Sequence, residues 1–224
     1  MKTFIFCTSY FDNKIIYKKR YLKWVNYYLD HPLTEDKELF LVDDGSDLEF
    51  VDRDHINVIQ EDQIGNHAEL EKVNLFHFEK RLGRDRAANS HGWWRSYMQS
   101  IKIAKAYGYE RIIHIESDFY AISKRLTDFY STYNSGWLAF WCPRYHFPES
   151  AMQIICEDQF DNFEKFVSMG HERLLDRQAE HNTPFSHIEK SFIGDRYGER
   201  SSVQIPNVDY FGQCELDLEI VREK

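Results

Sequence analysis

Few features of this chain would place it outside the ordinary folded classes. Among 224 residues there are only 10 glycines and 5 prolines, too few for a collagen-like or low-complexity polymer. The four cysteines, Cys7, Cys142, Cys156 and Cys214, form no CxxC pair and are too sparse for a disulfide framework. They read as reduced thiols, which points to a cytosolic protein. The apolar run Phe4-Ile5-Phe6-Cys7 is too short for the core of a signal peptide, and no stretch reaches the roughly 18 apolar residues of a membrane span. Positive charge is in deficit: 28 Lys and Arg against 37 Asp and Glu give a formal charge of −9. General affinity for nucleic acid is thereby excluded, because phosphate binding needs clustered cations. The densest local exception is Lys80-Arg81-Leu82-Gly83-Arg84-Asp85-Arg86. Several signature motifs are also missing. The 10 histidines form no HExxH or HxH, and there is no GxSxG elbow, P-loop or GxGxxG.

What is present is a folded, aromatic-rich chain, 42% apolar and 16% aromatic, of a size suited to a single domain. Thr3–Thr8 reads as a buried strand. Tyr17, Tyr21, Trp24, Val25 and Tyr28 then recur at helical spacing up to Asp30-His31-Pro32, and Glu38–Val42 is a second strand. Strand, helix and strand in this order form a βαβ unit. Asn57–Gln60 is a third, short strand, and the stretch from there to about residue 88 carries no clear period. A helix from Ser90 to Gly108 follows, with Trp94, Tyr97, Met98, Ile101 and Ala104 on one stripe. Arg111–Ile115 is the strongest buried-strand signal. A helix capped by Ser123, strands at 136–142 and 151–156, and a helical Phe160, Phe163, Phe166 pattern complete the regular part. The expected architecture is α/β: a mixed, mostly parallel central sheet flanked by helices, with a less regular C-terminal third.

Acidic residues close three of the expected strands: Asp43-Asp44, Glu116-Ser117-Asp118 and Glu157-Asp158. In open α/β sheets ligands gather outside the carboxyl ends of strands. In extended backbone, positions i and i+2 point the same way, so Glu116 and Asp118 could offer two oxygens to one hard cation such as Mg²⁺ or Mn²⁺, with diphosphate oxygens completing its shell. A turn or capping role accounts for the same residues. Arg84, Arg86 or Arg95 could hold a pyrophosphate by charge-assisted hydrogen bonds, or serve as surface ion pairs. Trp93, off the stripe that carries Trp94, is the candidate to lie against a sugar ring. Trp137, Trp141, Tyr145, His146 and Phe147 are spaced to line an acceptor cleft, although core packing explains the tryptophans equally. His91 and His114 lie nearest the expected crevice, the latter inside a buried strand.

Val42-Asp43-Asp44-Gly45-Ser46 and Glu116-Ser117-Asp118, in this order and spacing, resemble the motifs of nucleotide-sugar glycosyltransferases of the GT-A fold, particularly the family 2 type. The likeness covers roughly residues 1–160. It implies a soluble, inverting enzyme of polysaccharide or glycoconjugate synthesis, with a nucleotide-diphosphate sugar donor, a carbohydrate acceptor and Mn²⁺ or Mg²⁺. It further implies one GT-A-like domain, 1–120 holding the nucleotide and 121–224 the acceptor. Thr8, Ser9 and Tyr10 would line the base pocket, Asp43 would accept a hydrogen bond from the base, and Asp44 would support it or the ribose. Asp118 would bind the metal, Glu116 the ribose or the metal, and Glu157-Asp158 would supply the general base, with Glu189 and Asp195 in reserve. Two departures stand out: Glu116 replaces the first Asp of the metal motif, and Asn89-Ser90-His91-Gly92-Trp93-Trp94-Arg95 replaces an Ala-Arg-Asn-x-Gly segment. The alternatives are a sugar nucleotidyltransferase, whose Gly-rich loop after the first strand is absent, and a non-catalytic nucleotide- or sugar-binding module. The transferase reading requires Asp43, Asp118 and Asp158 to converge at one rim of the sheet.

Overall fold

Strands that are apolar on both faces must be covered on both faces, and this rule organises the chain. The computed structural model describes residues 1–66, 69–85, 90–174, 178–195 and 208–212. All seven residues of β1 (Thr3–Ser9) are buried, as are all five of β5 (Arg111–Ile115). Around them β2 (Glu38–Asp43), β3 (Asn57–Gln60), β4 (Val73–His77), β7 (Trp137–Cys142), β8 (Phe147–Cys156) and β9 (His187–Glu189) complete an eight-stranded sheet in the order β3-β4-β2-β1-β5-β8-β7-β9. Only β8 runs against its neighbours. This is the expected mixed, mostly parallel sheet, and it continues without a break into the second half of the chain as a single domain.

One face packs on the first helical segment and buries Trp24, Tyr28 and Tyr17 with Ile5, Leu39 and Ile113. The other face packs on α3 (His91–Tyr107) and α5 (Phe160–Ser168), burying Trp94, Tyr97, Phe163 and Trp137. Each such side chain contributes about 1.5–3 kcal/mol relative to exposure. Gly108 ends α3 in the left-handed conformation (φ 67°), and Ser123 caps α4 (Lys124–Thr132) by accepting from the Leu126 amide at 3.1 Å. A small sheet of β10 (Gly194–Asp195), β11 (Tyr210–Phe211) and β6 (Tyr120–Ala121) sits beside the main one. Among the described residues no helix is long and apolar enough to cross a membrane, and Cys7, Cys142 and Cys156 are buried without a disulfide.

Two elements differ from the sequence expectation. The helix expected through Tyr17–Tyr28 is α1 (Lys14–Ile16), a π-helical segment Tyr17–Leu22 and α2 (Lys23–Leu29). β4 lies inside the stretch that showed no period.

Candidate active site

The parallel register brings the carboxyl ends of β1, β2 and β5 to one rim. Ser9 pairs with Asp43 and Phe6 with His114, so Thr8, Asp44 and Glu116 leave the sheet side by side. A cleft of about 370 Å³ opens there, lined by Thr8 and Ser9 of β1 and Tyr10 just after it, Asp44, Glu116, Arg20 and Tyr21 from the π-helical segment, Arg81, Gly83 and Arg84, and Ser90, Gly92, Trp93 and Ser96 at the start of α3.

The two aspartates of the β2 turn have different tasks. Asp43 is wholly buried and accepts from the Ser46 amide at 2.8 Å, the Gly45 amide at 3.1 Å, His77 Nδ1 at 2.9 Å, Ser9 Oγ at 3.4 Å and the Ser46 hydroxyl. These bonds commit its oxygens to shaping the turn. Asp44 does reach the cleft wall. Its carboxylate accepts from Arg95 and from the Gly83 amide at 2.8 Å. Two glycines make room for this. A Cβ on Gly92 would stand 1.9 Å from Asp44 Oδ2, and Gly45 (φ 82°) would bring a Cβ within 2.7 Å of the Arg81 amide. Arg95 lies over the Phe78 ring at 3.9 Å, donates to the Lys80 carbonyl at 2.7 Å and does not line the cleft. It balances Asp44. Arg86 falls outside the described residues.

Glu116 is also committed. Thr8 Oγ1 donates to it at 2.9 and 3.1 Å, His114 Nε2 stands 3.0 Å away, and the Trp93 indole N–H donates to the same carboxylate. Burial by itself raises the Glu116 pKa, but the hydrogen bonds from His114 and Trp93 and the charge of Arg20 outweigh it and hold the carboxyl below its ordinary range. Trp93 stacks on Tyr97 with ring centroids 5.1 Å apart and presents its remaining surface to the cleft.

Asp118 points elsewhere. The chain turns at once after β5, the Phe119 amide donating to the Glu116 carbonyl at 2.9 Å, so the extended geometry that would align positions 116 and 118 is absent. Arg20 reaches into this turn, with Nε 2.6 Å from Ser117 Oγ and Nη2 3.3 Å from Asp118 Oδ2. The donor set does not suit a divalent cation. One carboxylate is already hydrogen-bonded with Thr8, Trp93 and His114, and the other is bonded to a guanidinium.

Glu157 and Asp158 lie at the opposite rim. β8 runs antiparallel to β5 with Cys156 beside Arg111, and the Glu157 amide donates to the Glu110 carbonyl, about 20 Å along the strand from Glu116 at some 3.3 Å per residue. Asp158 accepts from Ser135 Oγ at 2.8 Å and from the Gly136 amide at 2.9 Å. Partial burial raises its pKa, but these bonds prevail and lower it, which makes it a weaker base than a free carboxylate. Of the three aspartates expected at one rim, Asp43 and Asp118 are there and Asp158 is not. Trp141 lies near the carboxyl end of β7 and Tyr145 just after it, on the same rim but beyond the cleft lining. Lys190 Nζ sits 5.0 Å from the Trp141 ring, and Tyr145 stacks on Phe147 at 5.4 Å. Glu189, beside Phe140 in the sheet, also ends at this rim. Asp195 lies in β10, in the small sheet.

Sequence reasoning missed Arg20, Tyr21 and the inward role of Arg81. Tyr21 Oη accepts from the Tyr10 amide at 3.1 Å, and the Arg81 guanidinium covers the Tyr10 ring at 3.8 Å. In the run Lys18-Lys19-Arg20 of the π-helical segment, the last member reaches Ser117 and Asp118, partners distant in sequence.

No protein-family model matches the chain, and no curated protein matches its sequence. Among solved structures, the galactosyltransferase LgtC in complex with donor and acceptor sugar analogs is similar at a TM-score of 0.53 and 10% identity, over 94% of this chain and 86% of that one. An active-site mutant of LgtC matches with the same values. A glycosyltransferase involved in glycosylation of the major capsid of PBCV-1 matches more loosely, at a TM-score of 0.49 and 12% identity over 100% of this chain and 98% of that one. The mostly parallel eight-stranded sheet with helices on both faces is the fold of GT-A glycosyltransferases.

Proposed function

We propose that this protein is a glycosyltransferase that moves a sugar from a nucleotide-diphosphate donor to a carbohydrate or glycoconjugate hydroxyl. The observation that carries the reading is the charge of the cleft. In a chain of net charge −9, Arg20, Arg81 and Arg84 line a single cavity at the carboxyl ends of parallel strands. Arg95 pairs with Asp44 and Arg20 with Asp118, and Glu116 is held by hydrogen bonds with His114, Trp93 and Thr8, so Arg20, Arg81, Arg84 and Arg95 outnumber the carboxylates Asp44, Glu116 and Asp118. The surplus is positive and suits a diphosphate, which guanidinium groups bind through paired charge-assisted hydrogen bonds. The likeness of fold to a galactosyltransferase supports the same reading.

In this arrangement Thr8, Ser9 and Tyr10 face the nucleoside and Trp93 presents its exposed surface to the sugar, as aromatic rings do toward the apolar faces of pyranoses. Transfer breaks the bond between anomeric carbon and diphosphate, and the arginines stabilise the charge that develops on the departing oxygen. Asp158 takes no part in the step.

The test is donor hydrolysis across a panel of nucleotide sugars. Slow release of nucleoside diphosphate with equimolar free sugar is expected from at least one donor. Arg81→Ala should reduce it by about tenfold, the scale of one charged hydrogen bond at about 1.4 kcal/mol. A panel in which no nucleotide sugar is bound or cleaved would overturn the reading.

A further inference from the structure

Carboxylates placed after a central strand would ordinarily be available to a divalent cation; here one of them, Asp118, is already bonded to a guanidinium. Arg20 comes from the π-helical segment Tyr17–Leu22, which buries Tyr17 and Tyr21, and its side chain reaches the turn after β5. Its guanidinium is held on two sides, by Ser117 Oγ and Asp118 Oδ2, yet 46% of the side chain stays exposed, and it forms part of the cleft wall with Arg81, Arg84 and Glu116. A planar group fixed at one edge and open at the other is pre-organised for an anion, since little rotamer freedom is left to lose on binding.

We propose that Arg20, oriented by Ser117 and Asp118, takes the part of the divalent cation, so that the protein binds and cleaves its nucleotide-diphosphate donor without metal. This rests on the transferase reading above. In the step itself, the anomeric carbon–oxygen bond breaks with its electron pair on the departing phosphate oxygen, whose charge faces Arg20. The acceptor oxygen bonds to the anomeric carbon, and its proton passes to solvent. Asp118 is a positioning residue for Arg20, and Glu116 fixes Trp93 and Thr8 at the cleft wall.

The experiment is calorimetric titration of the full chain with UDP and with GDP, in EDTA and in Mn²⁺, alongside hydrolysis of the corresponding sugar nucleotides. Binding by at least one nucleotide with a Kd that agrees within about twofold in the two buffers is expected, with hydrolysis proceeding in EDTA. Arg20→Gln should weaken binding about tenfold or more in both buffers, and Arg20→Lys should lie between, because a point charge replaces a fork. Thermal melting of each variant separates this effect from unfolding. Binding or hydrolysis that vanishes in EDTA and returns with Mn²⁺ would overturn the assignment while leaving the transferase reading intact. Absence of nucleotide binding in either buffer would sink both.

Discussion

At the scale of single residues, the strand-end carboxylates divide into those that shape the rim and those that face the ligand. The pair Asp44–Arg95 belongs to the first group. The Asp44 side chain is 6% exposed and the Arg95 side chain 19%, so removing the cation leaves a buried charge with only amide donors. Arg95→Met, which preserves the stem over Phe78, is therefore expected to lower stability by about 3 kcal/mol, read from urea denaturation, while the Asp44→Asn, Arg95→Met double variant recovers part of the loss. A single variant as stable as the parent but unable to bind nucleotide would show instead that Arg95 contacts the ligand. The motif Val42-Asp43-Asp44-Gly45-Ser46 located this turn correctly from sequence. Which aspartate looks into the cleft was not legible, because that depends on the rotation of the chain after β2, set by contacts from His77 and from the 81–83 loop that are distant in sequence. The same holds for Glu116 and Asp118, where an immediate turn replaces the extended backbone on which their common direction was premised.

At the scale of elements, the segment between α2 and β2 is fastened by His31. Its Nδ1 accepts from the Leu33 amide at 3.1 Å and its Nε2 donates to the Ala121 carbonyl at 3.1 Å, an arrangement that uses the neutral ring. Burial pushes the pKa down from 6.5 to about 4, against a smaller upward effect of the Ala121 bond. The native state thus binds fewer protons than the unfolded chain between these values, and this contribution to stability is complete above pH 6.5 and is lost as pH falls toward 4. Urea midpoints measured across that window should decline in the parent and decline less in His31→Asn, which keeps an oxygen acceptor for the Leu33 amide. Equal slopes in both proteins would refute the assignment. His31-Pro32 was legible only as a helix stop. Elements whose apolar residues repeat cleanly, such as β1, β5 and α3, could be read from sequence nearly to their ends. β4 could not, because Asn74 and His77 interrupt its pattern. The structure shows why they are tolerated: Asn74 bonds to Asn57 and the Glu71 carbonyl and His77 bonds to Asp43, partners that no local pattern reveals.

At the scale of the whole molecule, strand direction decides which acidic residues can cooperate. In the eight-stranded sheet the parallel strands deliver their carboxyl ends to one rim, and β8, antiparallel to both of its neighbours, delivers its own to the other. Nothing in Ile154-Ile155-Cys156-Glu157-Asp158 distinguishes a parallel from an antiparallel strand, so the placement of Asp158 could not be read from the sequence. What the sheet assigns to it instead is the entry to β7, where it secures Ser135 and Gly136. Asp158→Ala is accordingly expected to leave donor hydrolysis within about twofold of the parent while lowering stability by about 1 kcal/mol, the worth of an exposed hydrogen-bonding group. Rates and urea midpoints taken on the same preparation separate the two roles. A drop of about tenfold or more in kcat with an unchanged midpoint would place Asp158 in the chemistry after all, and would require the chain to bring opposite rims of its sheet together, a motion that the continuous hydrogen bonding of β5, β8 and β7 opposes.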